Sequence, residues 1–84
     1  MTSILPLYAD IHKYLSTHHL QNKFQKQIKF LQTNPRHPSL HLELFEPKDK
    51  GIYSFRIDLK YRAIFIYRLD LKSIEILAIT SHYQ

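Results

Sequence analysis

Apolar residues recur with the period of a helix in the first third of the chain. Pro6 suits the first turn of a helix, and the apolar residues after it lie three or four positions apart. The same spacing returns after a pair of histidines and stops before Pro35, because proline disfavours the helical conformation of the residue that precedes it. The pattern therefore predicts two helices, over about 6–17 and 20–32, that form a hairpin.

From residue 40 onward, apolar residues alternate with polar ones, as in strands that bury one face. This alternation predicts four strands, at about 40–46, 52–58, 61–69 and 73–80. The only glycine of the sequence lies in the predicted loop between the first two strands. Two helices followed by such a meander predict an α+β fold. The helical hairpin packs on one face of a four-stranded antiparallel sheet, and the other face stays open.

Length and composition restrict the protein to a small class. A chain of 84 residues suits one domain, 1–84, and 44% hydrophobic residues with 13% aromatics suffice for a packed core. The absence of cysteine excludes disulfides and thiolate metal sites, and it favours a cytoplasmic location. No apolar stretch approaches the roughly 18 residues of a membrane span, so we expect no membrane association.

Positive charge is concentrated in the strand region. The net charge of the chain is +5, and six lysines and arginines face only two aspartates within residues 48–68. A cationic surface attracts nucleic acid or an acidic protein partner. Charge alone does not choose between these two partners.

The alternation also predicts which side chains share the open face of the sheet. If Phe55, Phe65 and Leu77 lie under the helices, then Arg56 and Arg62 emerge together on the opposite face. Arginines held on rigid strands present planar sets of donors that suit phosphate groups.

Four further side chains extend this set. Glu43 is offset by one position from its leucine neighbours and is expected on the arginine face, and Lys60 comes two residues before Arg62. His82 and Tyr83 follow the last predicted strand. Together these residues supply a base, phosphate ligands, an acid and a stacking ring. RNA cleavage by attack of the 2′-hydroxyl requires such a combination.

Each of these residues also has a purely structural interpretation. Both arginines could form cross-strand ion pairs, Glu46 could exchange places with Glu43 through a register slip, and His82 could be a frayed chain end. The acids available to the arginines are Asp58, Asp70 and Glu75. No carboxylate completes a ligand set with the histidine pairs, so no metal site is predicted.

Three segments carry a resemblance to a known family: Asn34–Leu40, Tyr53–Phe65 with its spaced arginines, and the final His82-Tyr83 pair. Over roughly residues 20–83 the chain resembles the RelE/ParE superfamily of bacterial toxins from toxin–antitoxin pairs, nearest to the RelE and YoeB type. The resemblance implies a helical hairpin on an antiparallel sheet, in agreement with the pattern above.

The resemblance also carries roles to individual positions. Glu43 matches the carboxylate proposed as general base in YoeB-like members, and Lys60 corresponds to lysines that the RelE-like branch uses. Arg62 matches the arginine that stabilises the pentavalent phosphate, and Arg56 matches a neighbouring phosphate-binding arginine.

At the end of the chain, His82 matches the general acid for the leaving 5′ oxygen, and Tyr83 matches the adjacent aromatic. Two features depart from the family pattern. Relatives usually begin with a β-strand, whereas this chain opens with the short, proline-broken run Ile4–Leu7, and Gln84 follows the His-Tyr pair.

The implied function is cleavage of mRNA in the ribosomal A site without a metal or other cofactor, neutralised by a cognate antitoxin protein. Two alternatives within the resemblance stay open. The chain could be a non-catalytic, ParE-like toxin that acts on DNA gyrase, or a degenerate member that only binds its antitoxin.

Overall fold

The computed structural model describes residues 2–45, 51–68 and 72–81. In chain order, its elements are β1 (Ser3–Ile4), α1 (Ala9–Thr17), α2 (Gln21–Thr33), a 3₁₀ turn (Pro38–Leu40), β2 (Glu43–Leu44), β3 (Ile52–Arg56), β4 (Arg62–Arg68) and β5 (Ser73–Thr80). Helix α1 begins three residues later than predicted, because the backbone is still extended at its N-cap, Tyr8, with ψ of 151°. Neither helix has the length and apolarity to cross a membrane within these described ranges.

The sheet has five strands in the order β1-β5-β4-β3-β2, and it is mixed. β1 pairs with β5 in parallel, and the other pairs are antiparallel. The prediction of four antiparallel strands is therefore wrong in strand count and direction, because a two-residue strand is too short to show alternation. The first predicted strand is also shorter than expected, since Pro38–Leu40 forms a 3₁₀ turn and leaves only Glu43–Leu44 paired with β3.

The core lies between the helices and one face of this sheet. Three phenylalanines at its centre, Phe24, Phe55 and Phe65, are fully buried. The ring centroid of Phe55 lies 6.0 Å from that of Phe24 and 5.8 Å from that of Phe65. Leu77, which we expected beneath the helices, is 37% exposed. The register shifts between Ile64 and Phe65, so that Phe65 pairs with Ile76 and Leu77 is left out of the ladder.

The other face of the sheet carries both arginines. Arg56 and Arg62 are Cα partners in the β3–β4 ladder, whereas their chain neighbours Phe55 and Ala63 are partners in the core. Because side chains alternate along strands, the two arginines share the face turned away from the helices. Thr80 is the Cα partner of Arg62 on the other side, which brings the end of β5 to the same place.

Candidate functional site

Arg62 is buried on the open face and is held by several hydrogen bonds. It is only 6% exposed. Its Nε donates to Ser54 Oγ at 3.0 Å, and its Nη2 donates to the backbone carbonyls of His41 at 2.6 Å and Ser54 at 3.1 Å. The segment that leads into β2 thus covers the guanidinium from the solvent side, while Ser54 fixes it from the sheet.

Glu43 is an exposed residue that contacts the guanidinium of Arg62. Its Oε1 is 3.7 Å from Nη2 of Arg62, and its side chain is 68% exposed. Glu43 is the Cα partner of Ser54, which places it on the arginine face as the alternation predicts. The contact joins a buried cation to a solvated carboxylate, so the carboxylate is accessible to a ligand on the open face.

Arg56 has an unused donor. Its Nε is buried and has no hydrogen-bond partner among the described residues, while its backbone carbonyl accepts from Gln27 Nε2 at 2.8 Å. A buried guanidinium donor without an acceptor is unfavourable, so this group is suited to an external oxygen ligand.

Lys60 lies in the turn between β3 and β4. Asp58 Oδ1 organises this turn by accepting from the amides of Lys60 at 2.8 Å and Tyr61 at 2.9 Å. The Lys60 ammonium lies 5.6 Å from the centre of the Tyr61 ring, a cation–π arrangement. Burial alone would raise the pKa of Asp58, but these two amides and the ammonium of Lys23 outweigh it and lower that pKa.

Of the three acids that could pair with the arginines, the structure describes Asp58 and Glu75, and both contact other partners. Asp58 pairs with Lys23 at 3.2 Å. Glu75 accepts from Arg68 at 2.8 Å and from the hydroxyl of Tyr8, and these hydrogen bonds lower its pKa. Asp70, together with Glu46, His82 and Tyr83, lies outside the described residues.

The structure therefore brings together three of the predicted site residues, Glu43, Arg56 and Arg62, and places Lys60 in the adjoining turn. Sequence reasoning missed Ser54, which is buried and anchors Arg62. Its position two residues before Arg56 on an alternating strand is the signal that could have identified it. The described parts of the chain hold no cluster of three potential metal ligands.

Sequence reasoning also missed a cavity of about 380 Å³ at the edge of the sheet, between α2 and the end of β3. We call it the α2 pocket, and its polar lining includes Lys23, Lys26, Gln27, His41, Arg56 and Asp58. Lys23 and Lys26 lie three residues apart on one helix, so the sequence alone suggests an ordinary solvated face.

Comparisons with known proteins bear on the fold. No protein-family model matches the sequence, and no curated protein matches it. Two solved structures are similar over nearly the whole chain. A YoeB/ParE toxin from Agrobacterium tumefaciens has a TM-score of 0.71 at 19% identity, with 99% of this chain and 100% of that chain covered.

The second structure is a YoeB-YefM complex from Staphylococcus aureus, with a TM-score of 0.70 at 19% identity and 99% of both chains covered. At this level of identity, the similarity concerns the arrangement of the backbone. The α+β arrangement, with two helices on a sheet, agrees with the expectation drawn from the resemblance, although the sheet has five strands and is mixed. The chain has the fold of the RelE/YoeB/ParE toxin superfamily.

Proposed function

We propose that this protein is the toxin of a toxin–antitoxin pair and that it cleaves mRNA in the ribosomal A site by attack of the 2′-hydroxyl. The observation that carries the proposal is the placement of Glu43, Arg56 and Arg62 on one open sheet face, beside the end of β5. The fold shared with a YoeB/ParE toxin supports the same assignment.

In the proposed reaction, Glu43, or Lys60 in its place, takes the proton of the 2′-hydroxyl. The 2′ oxygen then forms a bond to phosphorus while the bond from phosphorus to the 5′ oxygen breaks. Arg56 binds the substrate phosphate, Arg62 stabilises the charge that develops on it, and Tyr83 stacks on a base. His82 gives a proton to the leaving 5′ oxygen, so the products carry a 2′,3′-cyclic phosphate and a 5′-hydroxyl.

Access to Arg62 requires a local movement. The carbonyl of His41 covers its guanidinium, and His41 has a positive φ of 43°, which is uncommon for a residue with a side chain. We propose that RNA binding displaces this segment and that the phosphate oxygen replaces the carbonyl as acceptor. Arg56, whose Nε has no acceptor in the described part of the chain, meets the substrate first.

The proposed protein partner is an antitoxin. The similar YoeB structure is a complex with YefM, and the strongly basic sequence here suits an acidic partner segment. With mRNA on the ribosome as substrate, the proposed place of action is the cytoplasm.

Cleavage of ribosome-bound mRNA by the purified protein tests the proposal. Arg62→Ala and Arg56→Ala should each lower the rate of RNA cleavage by on the order of 10²–10³. Lys13→Ala removes an exposed cation on α1, outside the strands that carry the proposed site, and should leave the rate unchanged. Because Arg62 is buried, thermal unfolding must first show that each variant is folded. Arg56→Ala leaves the hydrogen bonds of Arg62 intact, so its cleavage rate is an independent test of the site.

Induced expression with primer extension on cellular mRNA distinguishes the alternatives. Clustered breaks in translated codons support the nuclease. DNA damage with intact mRNA indicates a gyrase inhibitor, and undisturbed growth indicates a member that only binds its antitoxin. Either of these two outcomes contradicts the proposal.

A further inference from the structure

Gln27 lines the α2 pocket and connects the elements that form it. This residue is only 6% exposed. Its Nε2 donates to the carbonyl of Ser39 at 3.0 Å and to that of Arg56 at 2.8 Å, and its Oε1 accepts from Ser39 Oγ at 3.4 Å. The amide thus ties α2 to the end of β3 and fixes the position of Arg56 relative to the helix.

The charge in the pocket is positive. Its lining includes three permanent cations, Lys23, Lys26 and Arg56, against one carboxylate, Asp58, which leaves +2. Both oxygens of that carboxylate already have donors, since Oδ1 accepts two turn amides and Oδ2 contacts Lys23 at 3.2 Å. Among the described residues, the buried Nε of Arg56 has no acceptor, and the Lys26 ammonium forms no ion pair or hydrogen bond.

The pocket adjoins the proposed site through Arg56. This residue lines the pocket and is also the Cα partner of Arg62. Residues directly opposite in an antiparallel ladder have Cα atoms only about 4.5–5.5 Å apart. A nucleic-acid strand lying over Arg62 therefore passes the mouth of the pocket within one nucleotide.

We propose that the α2 pocket binds a second phosphate of the RNA strand, next to the one that is cleaved. The inference rests on the proposed function and names a further part of its substrate site. A phosphodiester fits the pocket because it is anionic and presents two free oxygens, one for the lysines and one for Nε of Arg56, while the terminal nitrogens of Arg56 bind the cleaved phosphate. The pocket would hold the strand in register without taking part in the bond changes.

Binding to a non-cleavable RNA, methylated at the 2′ oxygens, tests the inference by fluorescence anisotropy at stepped salt concentrations. Lys26→Ala should weaken binding by roughly fivefold at low salt and reduce the slope of log Kd against log salt by about 0.7, the value for one phosphate contact on a single strand. Lys29→Ala is the matched control, because it removes a lysine on the same helix that does not line the pocket.

Asp58→Asn supplies a gain-of-binding variant. It removes the negative charge but keeps the oxygen that accepts the two turn amides, and it frees Lys23, so RNA binding should tighten by roughly threefold. Equal effects of Lys26→Ala and Lys29→Ala on the salt slope, or no gain with Asp58→Asn, would overturn the inference.

A titration with inorganic phosphate separates the pocket from the reaction. The resonance of Arg56 Nε–H should shift saturably, and Lys26→Ala should abolish the saturation. If RNA is neither bound nor cleaved while inorganic phosphate still shifts the resonance saturably, both the proposed function and the RNA assignment of the pocket are wrong. If cleavage still depends on Arg62 but inorganic phosphate causes no saturable shift of the resonance, only the second phosphate site is wrong. If Lys26→Ala weakens binding of an acidic antitoxin segment and leaves RNA binding unchanged, the pocket serves a protein and the inference is wrong.

Discussion

Removal of the Ser54 hydroxyl tests how Arg62 is held. Ser54 is buried, and its Oγ accepts the Nε–H of Arg62 at 3.0 Å. Ser54→Ala leaves the two hydrogen bonds from Nη2 to backbone carbonyls in place, and it removes the side-chain oxygen that accepts from Nε. Loss of one buried hydrogen bond to a charged group lowers the free energy of unfolding by about 1.5–3 kcal/mol. For a chain of this size, 1 kcal/mol corresponds to a Tm change of about 4–8 °C.

Urea unfolding is the appropriate assay, because it yields the midpoint and the slope separately. Ser54→Ala should lower the midpoint without changing the slope, since the surface exposed on unfolding stays the same. Ser16→Ala, on the exposed side of α1, should change stability by less than about 0.5 kcal/mol.

A double-mutant cycle assigns the loss to the pair. In the background of Arg62→Met, which removes the donor and keeps an apolar stem, Ser54→Ala should cost much less than in the wild type. The two changes should couple by about 1–2 kcal/mol. Purely additive effects, or a loss with Ser54→Ala no larger than that of Ser16→Ala, would refute the conclusion that Ser54 fixes the guanidinium.

Two further predictions concern the turn and the core. The pKa of Asp58 is lowered in the folded protein, so the unfolded chain binds more protons at acid pH. The contribution of Asp58 to stability is therefore present above its ordinary pKa of 3.8. It is lost as the pH falls through the lower pKa of the folded state. Asp58→Asn should therefore flatten the decline in Tm below about pH 4, and an unchanged decline would contradict the turn structure. Phe65→Ala removes a fully buried ring at the centre of the core and should lower the free energy of unfolding by about 3–5 kcal/mol in urea unfolding. Tyr14→Ala, at a half-buried ring on α1, should cost clearly less, and equal losses would show that the core is centred elsewhere.

Local periodicity was sufficient to predict most of the fold. The helical spacing predicted α1 and α2, and the alternation placed Arg56 and Arg62 on one face, because both signals depend only on neighbours in the sequence. The elements that the sequence did not reveal depend on distant contacts. β1 contains two residues and is defined by its pairing with β5, and Leu77 leaves the ladder through a register shift within β4.

The candidate site shows the same limit. Alternation predicts a shared face, but it does not predict that the carbonyl of His41 covers Arg62 or that Gln27 holds Arg56 against α2. These contacts cross 21 and 29 positions of the chain. The α2 pocket arises from the same packing, which turns two lysines of a helical surface toward an arginine at the edge of the sheet.

The central claim is that the arginine face promotes attack by the RNA's own 2′-hydroxyl, and a substrate with one 2′-deoxy nucleotide at the mapped cleavage position tests it most directly. We predict that the purified protein cleaves the all-RNA strand in the ribosomal A site to give a 5′-hydroxyl and a 2′,3′-cyclic phosphate or 3′-phosphate. The single deoxy substitution should stop cleavage at that position. Continued cleavage of the deoxy-substituted strand, or products with a 5′-phosphate, would contradict the account.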